Sequence, residues 1–202
     1  MAFTKTQIIN RALVKLGSRP ITNLESDDTD ESVTALNIYD ISLESILADI
    51  QWTFATRREL LATLDETVPF SRTYEDLVVV YQRPVKLIRI FDVNDISADY
   101  YEEGDTIVSD TVGLGIIFTF LNENTATYPG YFVNAFADLL AADMAYPLLN
   151  SNSKTREMME YYEGVSLPKA ESINSQIGTA KELNDNYWIN SRFGGAEIRE
   201  HQ

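Results

Sequence analysis

Apolar residues recur at helical spacing at both ends of this chain and lose that spacing in the middle, so the polypeptide has to combine two kinds of packing. Ile8, Ile9, Ala12, Leu13 and Leu16 mark a first helix over residues 4–16, which Thr4 or Thr6 can cap and which Gly17 and Pro20 end. A second helix begins behind the acidic run Ser26-Asp27-Asp28-Thr29-Asp30-Glu31. Asp28 with Glu31 has the spacing of a capping box, and the other carboxylates suit the positive end of a helix dipole. The stripe Leu36, Leu43, Ile46, Leu47, Ile50, Phe54 carries this helix through Trp52 to about Leu61, with Arg57 and Arg58 as a basic C-terminal end.

In the middle third the spacing changes. Thr67 to Phe70 reads as a loop, Leu77 to Tyr81 as a β-branched run that Pro84 ends, and Lys86 to Val93 as either a strand or a short helical turn. Tyr100 to Val108 reads as a hairpin turning at Glu103-Gly104-Asp105, and Gly115 to Leu121 as a further strand. From Pro129 the helical period returns in Phe132, Phe136, Leu139, Leu140, Met144 and Leu148. Ala135, Ala137, Ala141, Ala142 and Ala145 lie between them, small enough to let neighbouring helices approach closely. Ser151 or Ser153 caps a fourth helix through Met158, Met159, Tyr161, Tyr162 and Val165. Pro168 interrupts it, and helix resumes through Ala170, Ile173 and Ile177 towards Leu183.

These patterns predict an α+β fold, mainly α. A helical bundle is built from 1–63 and 128–183, a small antiparallel β subdomain is inserted at 64–127, and a tail extends over 184–202. That tail carries Tyr187, Trp188, Ile189 and Phe193, more large apolar groups than a solvated tail needs, which implies something for it to bind.

Charge narrows the partners. The 202 residues hold 31 Asp and Glu against 16 Lys and Arg, a formal net charge of −15. Such a surface repels a phosphate backbone, which argues against affinity for nucleic acid; it serves either solubility or a surface past which DNA slides. Met1 to Asn10 lacks the form of a signal peptide, and no stretch approaches the roughly 18 uncharged apolar residues of a membrane span, so no membrane partner is expected.

The residues offer little for catalysis. There is no cysteine, and the one histidine is His201, which excludes thiolate sites and clusters of imidazoles. Gly113-Leu114-Gly115 precedes a strand where a dinucleotide site needs a helix. Paired carboxylates are the remaining scheme. Asp138 and Asp143 stand out because they interrupt a packing helix, where burial raises a carboxyl pKa. Five positions apart, they lie roughly 140° around a helix and do not share a face; partial exposure, or pairing with an arginine from a neighbouring helix, is the expected role. No cofactor or metal is expected.

The order of features is more specific than any one of them. Ala-Leu-Val-Lys-Leu-Gly-Ser closes the first helix. Trp52-x-Phe54-Ala55 with Arg57 closes the second, Tyr-x-Arg-Pro-x-x-x-x-Arg-Ile runs from Tyr81 to Ile90, and Pro129-x-x-Phe132 opens the alanine-rich helix. In this order and spacing, from about Thr4 to Leu183, the chain resembles the head-to-tail connector or adaptor family of short-tailed bacteriophages, which includes the tail tubular proteins A and related head-completion proteins. The resemblance implies a structural virion protein without enzymatic activity. It would form a homo-oligomeric ring, commonly of twelve copies, assembled in the host cytoplasm and held in the virion between portal protein and a downstream tail or nozzle protein. DNA would pass through the ring without specific binding. Trp52, Phe54, Arg57, Tyr81, Pro84, Arg89, Pro129 and Phe132 would form the family core. The tail would dock on the portal through Tyr187, Trp188, Ile189 and Phe193, with Arg192 and Arg199 as polar contacts. Another ring or tube component of the same tail, a carboxylate-dependent cell-wall hydrolase, and a monomeric host binding protein are the alternatives.

Overall fold

Thr4 opens the first helix, α1 (Lys5–Leu16). Its hydroxyl accepts the Gln7 backbone N–H at 3.2 Å while the Gln7 side chain accepts the Thr4 N–H at 3.0 Å, a reciprocal capping box. Gly17 closes the helix with φ of 73°, a left-handed conformation that only glycine adopts without steric cost. The computed structural model describes residues 2–24, 26–65 and 79–177. Over these the chain is α+β and mainly α, as its periodicity predicts.

The second helix, α2 (Asp30–Asp49), departs from expectation at both ends. Thr29 caps it, accepting the Ser32 N–H at 3.3 Å, and the Asp28–Glu31 capping box does not form. Asp27 accepts the N–H groups of Thr22 and Asn23 and so belongs to the preceding loop, while Asp30 and Glu31 occupy the first turn. At the other end, α2 stops at Asp49 instead of reaching Leu61. The indole N–H of Trp52 turns back onto the Ile46 carbonyl at 2.6 Å, occupying an acceptor that a continuing helix would use internally. Periodicity misses this stop because Ile50 and Phe54 pack against the same core as the helix before them. Leu36, read as part of the buried stripe, is 47% exposed.

Past a single 3-10 turn, Thr53–Ala55, the chain becomes β1 (Thr56–Leu60). Arg57 and Arg58 therefore lie on a strand, and Arg57 stacks its guanidinium over the Phe120 ring at 3.6 Å rather than facing a helix dipole. The other strands are β2 (Val79–Gln82), β3 (Leu87–Val93), β4 (Tyr100–Glu103), β5 (Thr106–Ser109) and β6 (Gly115–Phe120). Of the segment ambiguous by period, Leu87–Val93 is thus a strand, and Lys86 lies in the turn before it with φ of 64°. Two three-stranded antiparallel sheets result, ordered β1-β6-β3 and β2-β5-β4. Gly104 opens the two-residue turn between β4 and β5 with φ of 62°, as a type II′ hairpin requires. Leu61, Tyr81, Leu87, Ile90, Ile107, Leu114, Ile116 and Phe118 form the β core. Since β1 precedes residue 64, the first sheet takes a strand from the segment read as helical bundle.

The third helix, α3 (Gly130–Leu149), is the hub. Phe132, Phe136, Leu140, Met144 and all five interleaved alanines are buried, so it is covered on nearly every side. It packs against α1, α2, α4 (Asn152–Tyr161) and α5 (Leu167–Ser175). Its length and mean hydropathy of 1.2 would suit a bilayer, but 67% of the window lies inside the protein and it holds Asp138 and Asp143. Pro168 does not interrupt the last helical stretch. Between α4 and α5 the backbone widens into a π turn, Tyr162–Ser166, in which the Leu167 N–H reaches back five residues to the Tyr162 carbonyl. That shift accommodates a proline lacking an N–H, so helix continues across it.

Trp52 is fully buried and both ends α2 and anchors the crossing into β1. Trp52→Phe should lower unfolding free energy by about 2–4 kcal/mol, from lost volume and an unpaired carbonyl. Val85→Ala, on an exposed surface, should stay within about 0.5 kcal/mol. Urea denaturation of the two variants measures both.

Candidate functional site

The residues of the ordered motif converge where the helices meet the first sheet. Phe132, in the first turns of α3, sits at the centre: its ring lies 4.9 Å from Trp52, 4.6 Å from Phe54 and 5.0 Å from Tyr128, each edge-on. Tyr131 stacks on Trp52 at 6.3 Å, and Phe136 extends the cluster to Tyr39. Edge-to-face geometry sets the positive rim of one ring against the negative face of the next, which adds specificity to the apolar burial. Pro129 is the N-cap residue of α3, with φ of −68° and no N–H to leave unpaired.

The other motif residues secure the β unit. Tyr81 is fully buried; its hydroxyl donates to the Thr111 carbonyl at 2.6 Å and accepts the N–H groups of Gly113 and Leu114. It thereby satisfies the backbone of the Gly113-Leu114-Gly115 turn, which is a structural turn before β6. Pro84 is buried at the end of β2. Arg89, on β3, donates to the Ala48 carbonyl at 3.2 Å and ties the sheet to the end of α2. The motif is therefore a set of packing and tying residues, with none of them gathered around an opening.

Two asparagines that the sequence reading passed over complete this junction. Asn174, on α5, accepts both the N–H and the hydroxyl of Thr53 at 3.0 Å and donates to the Gln51 carbonyl at 2.8 Å, clamping the segment that leaves α2. Asn122 donates to Thr127 and accepts the Asn124 N–H, shaping the approach to α3. Both are buried. An asparagine within an apolar stripe was the only signal for Asn174, and it looks the same as an exposed helical asparagine.

The two carboxylates of α3 point apart. Asp138 is buried, paired with Lys15 of α1 and accepting the Ser166 hydroxyl at 2.6 Å; the expected arginine partner is a lysine. Asp143 faces the opposite side and accepts the Ser42 hydroxyl of α2. Burial raises its pKa, and the Ser42 hydrogen bond offsets part of that rise. The pair cannot address one bond from two sides. Among the described residues no three His, Asp or Glu side chains are grouped to hold a metal. Tyr187, Trp188, Ile189, Arg192, Phe193, Arg199 and His201 lie outside the described residues, as does the 67–70 loop.

No protein-family model and no curated protein matches this chain.

Because the folded protein holds the Asp143 proton to a higher pH than the unfolded chain does, stability falls as pH rises from the ordinary carboxylate range through the raised value. Asp143→Asn keeps an acceptor for Ser42 and removes that dependence. The variant should denature at a higher temperature than the parent at neutral pH, and the gap should close as pH falls below the ordinary carboxylate range. Thermal denaturation across pH checks this; a gap that ignores pH contradicts it.

Proposed function

We propose that this chain is a structural virion protein, a head-to-tail adaptor whose copies form a ring between portal and tail and continue the DNA channel. It does no catalysis in this role. One observation carries the reading beyond the order of the motifs. Trp52, Phe54, Pro129 and Phe132, spread over the length of the β insertion, meet in one junction that joins bundle to sheet, while Arg57, Tyr81, Pro84 and Arg89 secure the sheet side. A motif conforming to an assembly fold should consist of such joining residues.

The net charge of −15 supports the same reading, since repulsion between the ring and DNA keeps a channel from holding what must pass through it. The partners are the portal protein, a downstream tail or nozzle protein and further copies of the chain, with commonly twelve to a ring. Segment 184–202, with Tyr187, Trp188, Ile189, Phe193, Arg192 and Arg199, docks on the portal, aromatic and arginine side chains being the usual anchors of such contacts. The place of action is the virion tail at the portal vertex, after assembly in host cytoplasm.

Mixing the purified chain with its cognate portal and imaging the particles by electron microscopy tests the proposal. Rings seated on the portal are expected, and their loss on removal of 184–202. Absence of rings contradicts the adaptor role, and rings that persist without 184–202 contradict the docking role of that segment.

A further inference from the structure

Charge is sorted between the helices of the bundle. α1 carries Lys5, Arg11 and Lys15 and no acid, whereas α2 carries Asp30, Glu31, Asp40, Glu44 and Asp49 and no base. Lys5 pairs with Asp40 of α2, so the local exception in a chain this acidic is Arg11 and Lys15 of α1 with Lys169 of α5. They border a cleft of about 180 Å³ between α1, α3 and the α4–α5 stretch, whose walls include Tyr161, Val165 and Ile173. Tyr161 and Val165 are each 47% exposed and Ile173 is 38% exposed. Lys15 is neutralised by Asp138, but Arg11 and Lys169 have no ion-pair partner among the described residues.

The outer face of α2 has the opposite character. Ile41 is 73% and Val33 48% exposed, flanked by the exposed carboxylates of Asp30 and Glu44. These two surfaces lie on opposite sides of α3. Asp138 points into the basic cleft and Asp143 points to Ser42 on the inner face of α2. At 3.6 residues per turn the two directions differ by roughly 140°.

We propose that the acidic, aliphatic outer face of α2 in one copy docks into the basic cleft between α1 and α5 of the next. The contact is heterologous, joining two different patches on opposite sides of the molecule, and such contacts propagate head to tail and close into rings when the rotation permits. Charge complementarity selects the copy and its orientation, and the exposed aliphatic groups supply the apolar burial. Closure into a ring rests on the adaptor reading; the contact itself rests on the two faces.

The chain has no cysteine, so cross-linking can be read without background. Ile41→Cys and Ile173→Cys are made separately in the full chain, mixed at high concentration and oxidised. A disulfide-linked dimer containing one of each variant is expected, with little linkage in either variant alone, and adding Glu44→Lys to the Ile41→Cys chain should lower the yield. No mixed dimer, or linkage as strong in each variant alone, overturns the proposal. Mixed dimers without rings on the portal would leave the contact standing and remove the adaptor reading. Portal-seated rings whose subunits do not link would do the reverse.

Discussion

Almost everything in this protein depends on burying α3 on nearly every side. A helix built mainly from phenylalanine, leucine, methionine and alanine has little besides Asn134 and its C-terminal end to give to water, so α1, α2 and the α4–α5 stretch must surround it. The alanines let those helices come close, while Phe132 reaches Trp52 and Phe54 and Phe136 reaches Tyr39. Only two carboxylates interrupt the surface. Each is answered by a neighbouring helix, Asp138 by Lys15 and Ser166, Asp143 by Ser42. Leaving a buried carboxylate without its partner is costly, so these contacts also dictate which helix lies against which side.

A hub of this kind leaves its outer helices free to present surface. In the proposed adaptor role those surfaces are where the protein acts, because an assembly part works through geometry held rigidly in place. The aromatic junction and the Asn174 clamp hold the sheet unit to the bundle through contacts that are local to one place. The sorting of cations onto α1 and carboxylates onto α2 then gives the subunit two unlike sides.

The fold class, the hairpin at Gly104, the first helix and the hub helix are directly legible in the sequence, because each rests on a strong local rule: period, glycine at a positive φ, or a capping threonine. The end of α2 was not legible. Ile50, Trp52 and Phe54 continue the helical rhythm of apolar residues, and only the three-dimensional return of the Trp52 indole to Ile46 shows that the rhythm has left the helix. Arg57 and Arg58 were misread for the same reason. Pro168 misleads in the other direction, since the π turn ahead of it places the proline in the first turn of α5, where a missing N–H is tolerated. Of the motif residues, the eight from Trp52 to Phe132 were named from sequence, yet their role as a junction follows from distances that no spacing contains. Asn174 shows in the sequence only as an asparagine within an apolar stripe, and its partners alone reveal the clamp.

The helical core around α3 and the separate β core are coupled through the aromatic junction of Phe132 with Trp52 and Phe54, so bundle and first sheet should open as a single cooperative body. Native-state hydrogen exchange at residue resolution tests it most directly. Amides of α3 and of β6, the middle strand of the first sheet, should exchange only through global opening, with the same free energy and the same denaturant dependence. Exchange of β6 through a smaller opening that leaves α3 protected would show two separately stable units, and would contradict it.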